Sequence, residues 1–257
     1  MSQSNEKPTI LFVHGAWHNS TCWDSVRSQL SQFSYPTRVV QLPSSGNAVS
    51  SHLEDTAVVR NALESLIVSD GKPVILVMHS YGGIAGTNAV SGLEMAARVE
   101  KGEKGGIIHC LFIAAFLVPK GLSLMGMFPE PPPYLAPDPE DPNYLIVKNP
   151  KEIFYNDVSP SAAEPWIAQM KHQSTASFMS AVDSVAWESG LVPCTYLICE
   201  QDNGVFLWLQ EQMLEGVREE SGRLWTVEKC DCSHSAWLSQ ISTVVRLVRK
   251  GAGEDVD

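Results

Sequence analysis

Three polar residues have the types and the chain order that nucleophilic attack on a carbonyl carbon requires. Ser80 follows the apolar run at residues 73–77 and precedes Gly82, a pattern that predicts a sharp turn from a strand into a helix. A serine on such a turn holds its hydroxyl above the edge of the sheet. Asp202 comes after a second apolar run, and His234 begins the last helical pattern. A histidine can take the proton of a serine hydroxyl, and an acid can orient that histidine. This order therefore predicts acyl-transfer chemistry with Ser80 as the nucleophile.

The segment around the serine departs from the usual nucleophile motif at one position. Residues 77–83 read VMHSYGG, so Met78 stands where the pattern G-x-S-x-G has its first glycine. Small residues are expected beside the serine because the turn brings the strand and helix backbones close together. The departure leaves open a plainer interpretation of this segment, in which Ser80 caps the start of an ordinary helix.

The distance along the chain between the acid and the histidine supports their pairing. His234 lies 32 positions after Asp202, which leaves room for one helix and one strand and returns both loops to the edge that carries Ser80. We therefore predict that His234 is the general base and that Asp202 is its acidic partner. Glu200 and Asp231 remain alternatives for the acid.

The loop after the first apolar run supplies a second part of the predicted site. Residues 14–18 read HGAWH, and a turn at this place can present a backbone N–H to a developing oxyanion. We predict that the N–H groups of Ala16 and Tyr81 form this oxyanion hole. His14 is expected to brace the loop by hydrogen bonding, whereas His18 either lines the pocket or holds the loop.

The cysteines do not indicate a metal site. Cys230, Cys232 and His234 alternate along the chain, with Cys199 as a distant fourth candidate ligand, but C-x-C is not the usual zinc spacing. We expect no metal, no cofactor and no disulfide framework, since the six cysteines are scattered through a long chain.

Six apolar runs rich in β-forming residues alternate with longer helical patterns. This alternation predicts an α/β fold with a mostly parallel sheet of about six strands and helices on both faces. The predicted strands are residues 9–13, 37–42, 73–78, 107–115, 195–199 and 223–228. The predicted helices are residues 22–33, 52–69, 80–99, 205–217 and 235–248.

Residues 119–190 interrupt this rhythm. Seven prolines fall between residues 129 and 142, a density that no helix or central strand tolerates. We predict a core of residues 1–118 and 191–257 and a cap, residues 119–190, made of a loop followed by helices over the active edge. The candidate substrate contacts are Trp17, His18, Phe116 and Trp187, and further candidate lining residues are Leu117, Met125, Met127, Phe128 and Trp166.

Composition restricts the partners of the protein. The 257 residues carry a formal net charge of −11 and no long Lys or Arg run, which argues against nucleic acid and anionic membranes as partners. Residues 1–9 lack the apolar core of a signal peptide, and residues 107–118, the longest apolar run, are too short to span a bilayer. We expect a cytoplasmic protein that acts on a small molecule, as either a monomer or a homodimer.

Taken together, these motifs resemble α/β-hydrolases of the compact group that includes plant methylesterases and hydroxynitrile lyases. The resemblance rests on the start His14-Gly15-Ala16-x-His18 with Trp23, on His79-Ser80-x-Gly82-Gly83, and on Asp202 and His234. It implies a Ser-His-Asp triad beneath a helical cap. The lyases of that group carry a lysine after the catalytic histidine and a threonine near the first oxyanion turn, where this chain has Ser235 and Gly15-Ala16, so cyanohydrin cleavage is disfavoured.

The leading hypothesis is hydrolysis of a carboxylic ester or lactone of a small, hydrophobic or aromatic molecule. One alternative keeps the pocket but uses His234 as the base of a lyase, cyclisation or isomerisation step, an idea that Met78 and the proline-rich cap suggest. Another alternative is a receptor that binds a small molecule without turnover, which an intact set of serine, acid and histidine disfavours.

Overall fold

A central sheet of six parallel strands organises the fold. The computed structural model describes residues 7–221 and 225–256, and the strands lie in the order β2-β1-β3-β4-β8-β9. Their bounds are β1 Thr9–Val13, β2 Thr37–Val39, β3 Pro73–His79, β4 Gly106–Ile113, β8 Cys194–Cys199 and β9 Thr226–Cys230. All six predicted strands are confirmed, although residues 223 and 224 of the last prediction lie outside the described residues.

The burial of the central strands explains their composition. Every residue of β1 is buried, and so is every residue of β3 after Pro73. Burial of successive residues requires cover on both faces of the sheet, which is why these strands are continuously apolar. Parallel pairing sets Val13 beside Met78 and His79 beside Ile113. The loops that follow β1, β3, β8 and β9 therefore meet at one edge of the sheet.

Helices connect the strands and cover the sheet. The N-terminal and C-terminal helices α1 and α10 pack together, as do α2 and α3. The helices are α1 Asp24–Ser31, α2 Leu53–Glu64, α3 Gly82–Asn88, α4 Met95–Glu100, α5 Pro150–Phe154, α6 Pro160–Ala168, α7 Thr175–Met179, α8 Leu207–Ser221, α9 Ala236–Ser239 and α10 Ile241–Gly251. Short 3-10 turns occupy Ser20–Trp23 and Met125–Met127, and a π-helical turn at Ser65–Ser69 extends α2.

The single helix predicted over residues 80–99 is wrong. The structure has α3 and α4 there, separated by a turn in which Gly92 has φ of 79°. Glycine populates this left-handed region without the steric cost that a side chain would impose. The turn at Gly92 therefore ends the helical path that the apolar spacing suggested.

The segment of residues 119–190, which we call the cap segment, contains a small antiparallel sheet that the sequence did not predict. Its strands are β5 Leu135–Pro137, β6 Tyr144–Val147 and β7 Gln173–Ser174, in the order β5-β6-β7. Strands of two to four residues are too short to produce a recognisable alternating pattern. Pro137 lies at the end of β5, on an edge strand, where a missing N–H is tolerated. The description of this segment as a separate cap stays a prediction.

In the part of the chain that the structure describes, no helix combines the length and the apolar composition needed to cross a lipid bilayer.

Candidate active site

Ser80 occupies a strained turn between β3 and α3. Its φ is 52°, in the left-handed region that residues other than glycine rarely adopt. The Ser80 N–H donates to the Ile113 carbonyl oxygen at 3.3 Å, and the Ser80 carbonyl accepts from the Phe116 N–H at 3.1 Å. Such strain persists where the surrounding structure fixes the backbone, and it is concentrated at functional sites. The backbone thus holds Ser80 at the carboxyl edge of the sheet, where the residue lines a cavity.

Close approach of the turn to the backbone at the ends of β1 and β4 accounts for the glycines after the serine. A Cβ placed on Gly82 would lie 2.7 Å from the His14 carbonyl oxygen, and one on Gly83 would lie 2.5 Å from the Phe116 carbonyl oxygen. Both contacts are with backbone, which cannot move aside. Glycine is therefore required at both positions for this packing.

Met78 does not disturb the turn. Its side chain lies against α3 at Gly86, a residue that has no side chain of its own. A Cβ on Gly86 would be 2.7 Å from the Met78 Cγ and nearer still to the Met78 sulfur. Gly86 thus provides the space that Met78 needs. Met78 replaces the first glycine of the G-x-S-x-G pattern, and Gly86, one helical turn after Gly82, compensates for its size.

His234 and Asp202 form a buried hydrogen-bonded pair. The His234 Nδ1 lies 2.8 Å from the Asp202 Oδ2, and the two residues are 2% and 4% exposed. The other carboxylate oxygen, Oδ1, accepts from the N–H groups of Gly204 at 2.7 Å and Val205 at 2.8 Å. Of the three acids considered, it is Asp202 whose carboxylate contacts the histidine. These bonds fix the carboxylate and leave Nε2 as the ring nitrogen available for proton transfer.

His79 holds the backbone of His234. Its Nε2 donates to the His234 carbonyl oxygen at 2.9 Å, and the two ring centroids are 4.6 Å apart. Burial, together with the neighbouring His234, lowers the pKa of His79 well below its usual value. His79 is therefore neutral and acts as a fixed donor to the loop that carries His234.

The cap segment is hydrogen-bonded to the two loops that carry the acid and the histidine. Asp157 accepts from the Ser233 N–H at 3.0 Å and from the Ser233 hydroxyl at 2.5 Å. The Tyr134 hydroxyl donates to the Gly204 carbonyl oxygen at 2.5 Å. Asp157 and Tyr134 are not predicted from the sequence, because neither belongs to a motif and their partners are distant along the chain.

Two backbone N–H groups lie beside Ser80 with no protein acceptor among the described residues. They belong to Ala16 and Tyr81, and both residues line the same cavity as Ser80. A Cβ on Gly15 would lie 2.8 Å from the Ser80 Cβ, so the loop after β1 packs directly against the serine. This arrangement suits two N–H donors to an oxyanion formed at Ser80.

His14 and His18 brace the loop after β1. The His14 Nδ1 donates to the Gly15 carbonyl oxygen at 2.8 Å, and its Nε2 accepts from the Leu42 N–H at 3.0 Å. The His18 Nδ1 donates to the Ala16 carbonyl at 2.8 Å, and its Nε2 accepts from the Tyr155 hydroxyl at 2.7 Å. Burial lowers the pKa of His14 to about 4 and that of His18 to about 3. Both rings are neutral. Of the two alternatives for His18, the geometry favours holding the loop, because both ring nitrogens are hydrogen-bonded and the residue is not among those that line the cavity at Ser80.

The cavity at Ser80 and His234 has a volume of about 20 Å³. Among the described residues its lining contains no Asp, Glu, Lys or Arg. Trp17 and Phe116 line it, as the sequence analysis expected. The cap segment adds a wall of apolar and aromatic residues, namely Leu124, Met125, Phe128, Pro132, Tyr134, Leu135, Phe154 and Phe178. An uncharged, mainly apolar molecule suits this lining.

Trp187 does not line this cavity, so its assignment as a substrate contact is wrong. Its ring packs near Phe112 and Trp225, with centroid distances of 6.5 and 5.9 Å. The indole N–H donates to Glu220 Oε2 at 3.0 Å. Burial of a large aromatic side chain indicates packing but does not indicate which cavity the side chain faces. Leu117 and Met127 line a separate groove beside α8, and Trp166 packs against Trp237 with centroids 4.9 Å apart.

The possible metal ligands do not form a site. In the described ranges, no group of three or more His, Cys, Asp or Glu side chains is arranged to hold a metal ion. All six cysteines are free thiols.

The sequence is similar to known hydrolases over nearly its whole length. Residues 10–247 match the family model described as "Alpha/beta hydrolase family". The "Alpha/beta hydrolase nvfD" of Aspergillus novofumigatus is 29% identical over 256 residues, which cover 98% of this chain and 99% of the relative. "Methylesterase 7" of Arabidopsis thaliana is 31% identical over 123 residues, covering 46% of this chain and 43% of the relative. The crystal structure of the methylesterase MES16 from Arabidopsis superposes with a TM-score of 0.71 at 20% identity, covering 96% of this chain and 99% of that one.

Proposed function

Because this chain belongs to the alpha/beta hydrolase family, we propose that it is a serine hydrolase that cleaves a carboxylic ester or lactone of a small, uncharged, hydrophobic or aromatic molecule. One observation carries the proposal. His234, which is hydrogen-bonded to the buried Asp202, lines the same apolar cavity as Ser80. Ala16 and Tyr81 line it too, and their backbone N–H groups have no protein acceptor among the described residues. Relatives with the names hydrolase and methylesterase support the same reaction class.

In the acylation step, His234 Nε2 removes the proton of the Ser80 hydroxyl while the oxygen attacks the carbonyl carbon of the substrate. The electron pair of the C=O bond moves to its oxygen, which the N–H groups of Ala16 and Tyr81 stabilise. Asp202 keeps the imidazole in the required tautomer and stabilises its cation. Collapse of the tetrahedral intermediate breaks the ester C–O bond, and the proton on His234 passes to the leaving alcohol.

In the deacylation step, a water molecule takes the place of the alcohol. His234 removes one of its protons, the resulting hydroxide attacks the acyl carbon, and the proton returns to the Ser80 oxygen as the acid is released. A lactone would follow the same steps, except that the alcohol stays attached to the acyl group and the product is a hydroxy acid.

The lining of the cavity supports an uncharged substrate. A carboxylate or ammonium group in this cavity would lose its hydration without gaining an opposite charge, which is costly. The same argument favours rapid product release, because hydrolysis converts a neutral ester into a carboxylate that the cavity does not stabilise.

The structure weakens one argument for a non-hydrolytic reaction. Met78 suggested an altered turn, yet Gly86 accommodates its side chain and the backbone at Ser80 keeps the strained φ of a nucleophile turn. Of the two features that suggest lyase, cyclase or isomerase chemistry, the proline-rich cap segment then remains.

A fluorophosphonate probe tests the proposal, because it reacts far faster with an activated serine than with an ordinary one. We expect stoichiometric labelling of Ser80 in the wild-type protein and none in Ser80→Ala. In His234→Ala the labelling should be slower by orders of magnitude. Absence of label on Ser80 in folded wild-type protein would contradict the proposed function.

A further inference from the structure

The buried side-chain amide of Gln173, in the cap segment, is hydrogen-bonded to three other residues. Gln173, on β7, is 0% exposed. Its Oε1 accepts from the Trp17 N–H at 3.2 Å. Its Nε2 donates to the Ser44 hydroxyl oxygen at 2.7 Å and to the Ser177 hydroxyl oxygen at 2.9 Å. The oxygen and both N–H groups of the side chain are thus in use.

The network that begins at Gln173 continues to Tyr81. The Ser44 N–H donates to Asp55 Oδ1 at 2.9 Å, and the Tyr81 hydroxyl donates to Asp55 Oδ2 at 2.5 Å. Asp55 is 0% exposed, and burial raises its pKa. Burial, with the neighbouring Asp55, also raises the pKa of Tyr81 well above its usual value, so this hydroxyl remains a donor. A continuous path of buried polar groups therefore joins Trp17 to Tyr81.

One end of this path is the N–H of Trp17, and the other end is the side-chain hydroxyl of Tyr81, whose backbone N–H is one of the two donors assigned to the oxyanion. Trp17 directly follows Ala16, and its φ of 60° is in the left-handed region. The Trp17 carbonyl accepts from the Lys171 N–H at 2.7 Å. A non-glycine residue keeps such a conformation only where its surroundings hold it, and here β7 and the residues before it hold both sides of the Trp17 backbone.

We propose that Gln173 is a positioning residue that fixes the Ala16 loop relative to Tyr81, so that the two oxyanion donors keep a set separation. The inference rests on the proposed hydrolase function. Donors stabilise a developing oxyanion best when they are already oriented and need not move during the reaction. A loss of Gln173 should then raise the energy of the tetrahedral intermediate without changing how the ground-state ester binds.

The variant Gln173→Met tests this proposal, because methionine has a similar length and no hydrogen-bonding amide. With a neutral aryl acetate as substrate, we expect kcat to fall about tenfold to a hundredfold, below the loss from deleting a whole oxyanion donor, while KM changes less than about twofold. Inhibition by an aryl trifluoromethyl ketone, which forms a tetrahedral adduct with the serine, should weaken by a similar factor. Inhibition by the matching methyl ketone, which resembles the ground state, should not change.

Ser174→Ala is the matched control. Ser174 is the neighbouring residue of β7 and is 1% exposed, and its hydroxyl bonds to the Val49 backbone rather than to the Ala16 loop. This variant removes buried hydrogen bonds from the same strand but leaves the path to Tyr81 intact. We expect its kcat and its trifluoromethyl ketone affinity to stay within about threefold of wild type.

The outcomes separate the two proposals. Wild-type kcat and ketone affinity in Gln173→Met, or equal losses in Ser174→Ala, would overturn the positioning role of Gln173 while leaving the hydrolase function standing. If Gln173→Met does not fold, Ser44→Ala is the alternative variant, because it removes one acceptor of the Gln173 amide. It must lower kcat and leave KM unchanged. An unaltered kcat in Ser44→Ala then overturns the proposal. A wild-type protein that neither cleaves esters nor labels at Ser80 refutes the hydrolase function itself.

Discussion

Met78 and Gly86 share one space between β3 and α3: the Met78 Cγ lies 2.7 Å from the place where a Cβ on Gly86 would stand. The relationship explains how a large residue occupies a position that the G-x-S-x-G pattern gives to glycine. In this chain the glycine that gives the two elements room to pack lies on α3 instead of β3. Substitutions at the two positions should therefore depend on each other.

We predict that Gly86→Ala lowers the free energy of unfolding by about 1–3 kcal/mol, the usual cost of overpacking a core. The same substitution in a Met78→Ala background should cost close to nothing, because the shorter side chain leaves room for the new methyl group. Urea unfolding of the four proteins of the cycle measures this coupling. An equal cost of Gly86→Ala in both backgrounds would show that the two residues do not compete for space.

The hydrogen bonds between Asp157 and Ser233 should support catalysis through the neighbouring His234. We predict that Asp157→Ala lowers kcat about tenfold with little change in KM, since small misplacements of a catalytic group reduce rates. Asp157→Asn should recover most of this loss, because its amide oxygen can still accept from the Ser233 N–H. Steady-state kinetics on a neutral aryl ester measures both effects.

Asp141→Ala is the control for this prediction. Asp141 is another carboxylate of the cap segment that accepts two hydrogen bonds, both from Asn143 rather than from the His234 loop. Its removal should leave kcat unchanged within about twofold. Equal losses in Asp141→Ala and Asp157→Ala would indicate a general loosening of the cap segment instead of a role at His234.

Buried histidines should make the protein less stable in mild acid. Burial lowers the pKa of His109 from 6.5 to about 4, so between these values the unfolded chain binds a proton that the folded chain does not. Its stabilising contribution is complete above pH 6.5 and is lost as the pH falls toward 4. His14 and His18 follow the same direction.

His109→Gln isolates one such group away from the active site. The His109 Nε2 lies 2.9 Å from the Thr195 hydroxyl oxygen, a contact that glutamine can imitate. We predict that the loss of unfolding free energy between pH 7 and pH 5 is smaller in the variant by about 1–2 kcal/mol. Urea unfolding at the two pH values gives this difference. The same loss in both proteins would show that His109 does not titrate with a lowered pKa.

The uncharged lining of the cavity should exclude charged esters. Methyl para-toluate and the monomethyl ester of terephthalic acid differ chiefly at the para position. The first ester carries a methyl group there, and the second carries a carboxylate. We predict that kcat/KM for the charged ester is lower by at least about a hundredfold, because the carboxylate would be buried without a partner. Similar values for the two esters would show that the para substituent remains in solvent or finds a positive group.

The sequence predicted the parts of this fold that depend on local pattern. Residues 9–13 form β1 with the predicted bounds, because a continuous apolar run has few alternatives to a buried strand. The sequence also predicts that Ser80, Asp202 and His234 lie at one edge of the sheet, since each comes within four residues after the end of a parallel strand. Their catalytic roles stay a prediction.

Other features depend on contacts that no local pattern reveals. Trp17 and Gln173 are separated by 156 positions, and the cap strand that carries Gln173 has two residues. Trp187 is a substrate contact predicted from the sequence, yet its ring packs near Phe112 and Trp225. Composition predicts burial, whereas tertiary packing decides which surface a side chain faces.

The most direct test of the account is the turnover of a neutral aryl ester by the wild-type protein and by Ser80→Ala, each checked for native folding. We predict measurable wild-type hydrolysis, an acyl group on Ser80 that mass spectrometry detects after rapid quenching, and a loss of kcat of about 10⁴ to 10⁶ in Ser80→Ala. A Ser80→Ala protein that hydrolyses the ester as fast as wild type would contradict the assignment of Ser80 as the nucleophile.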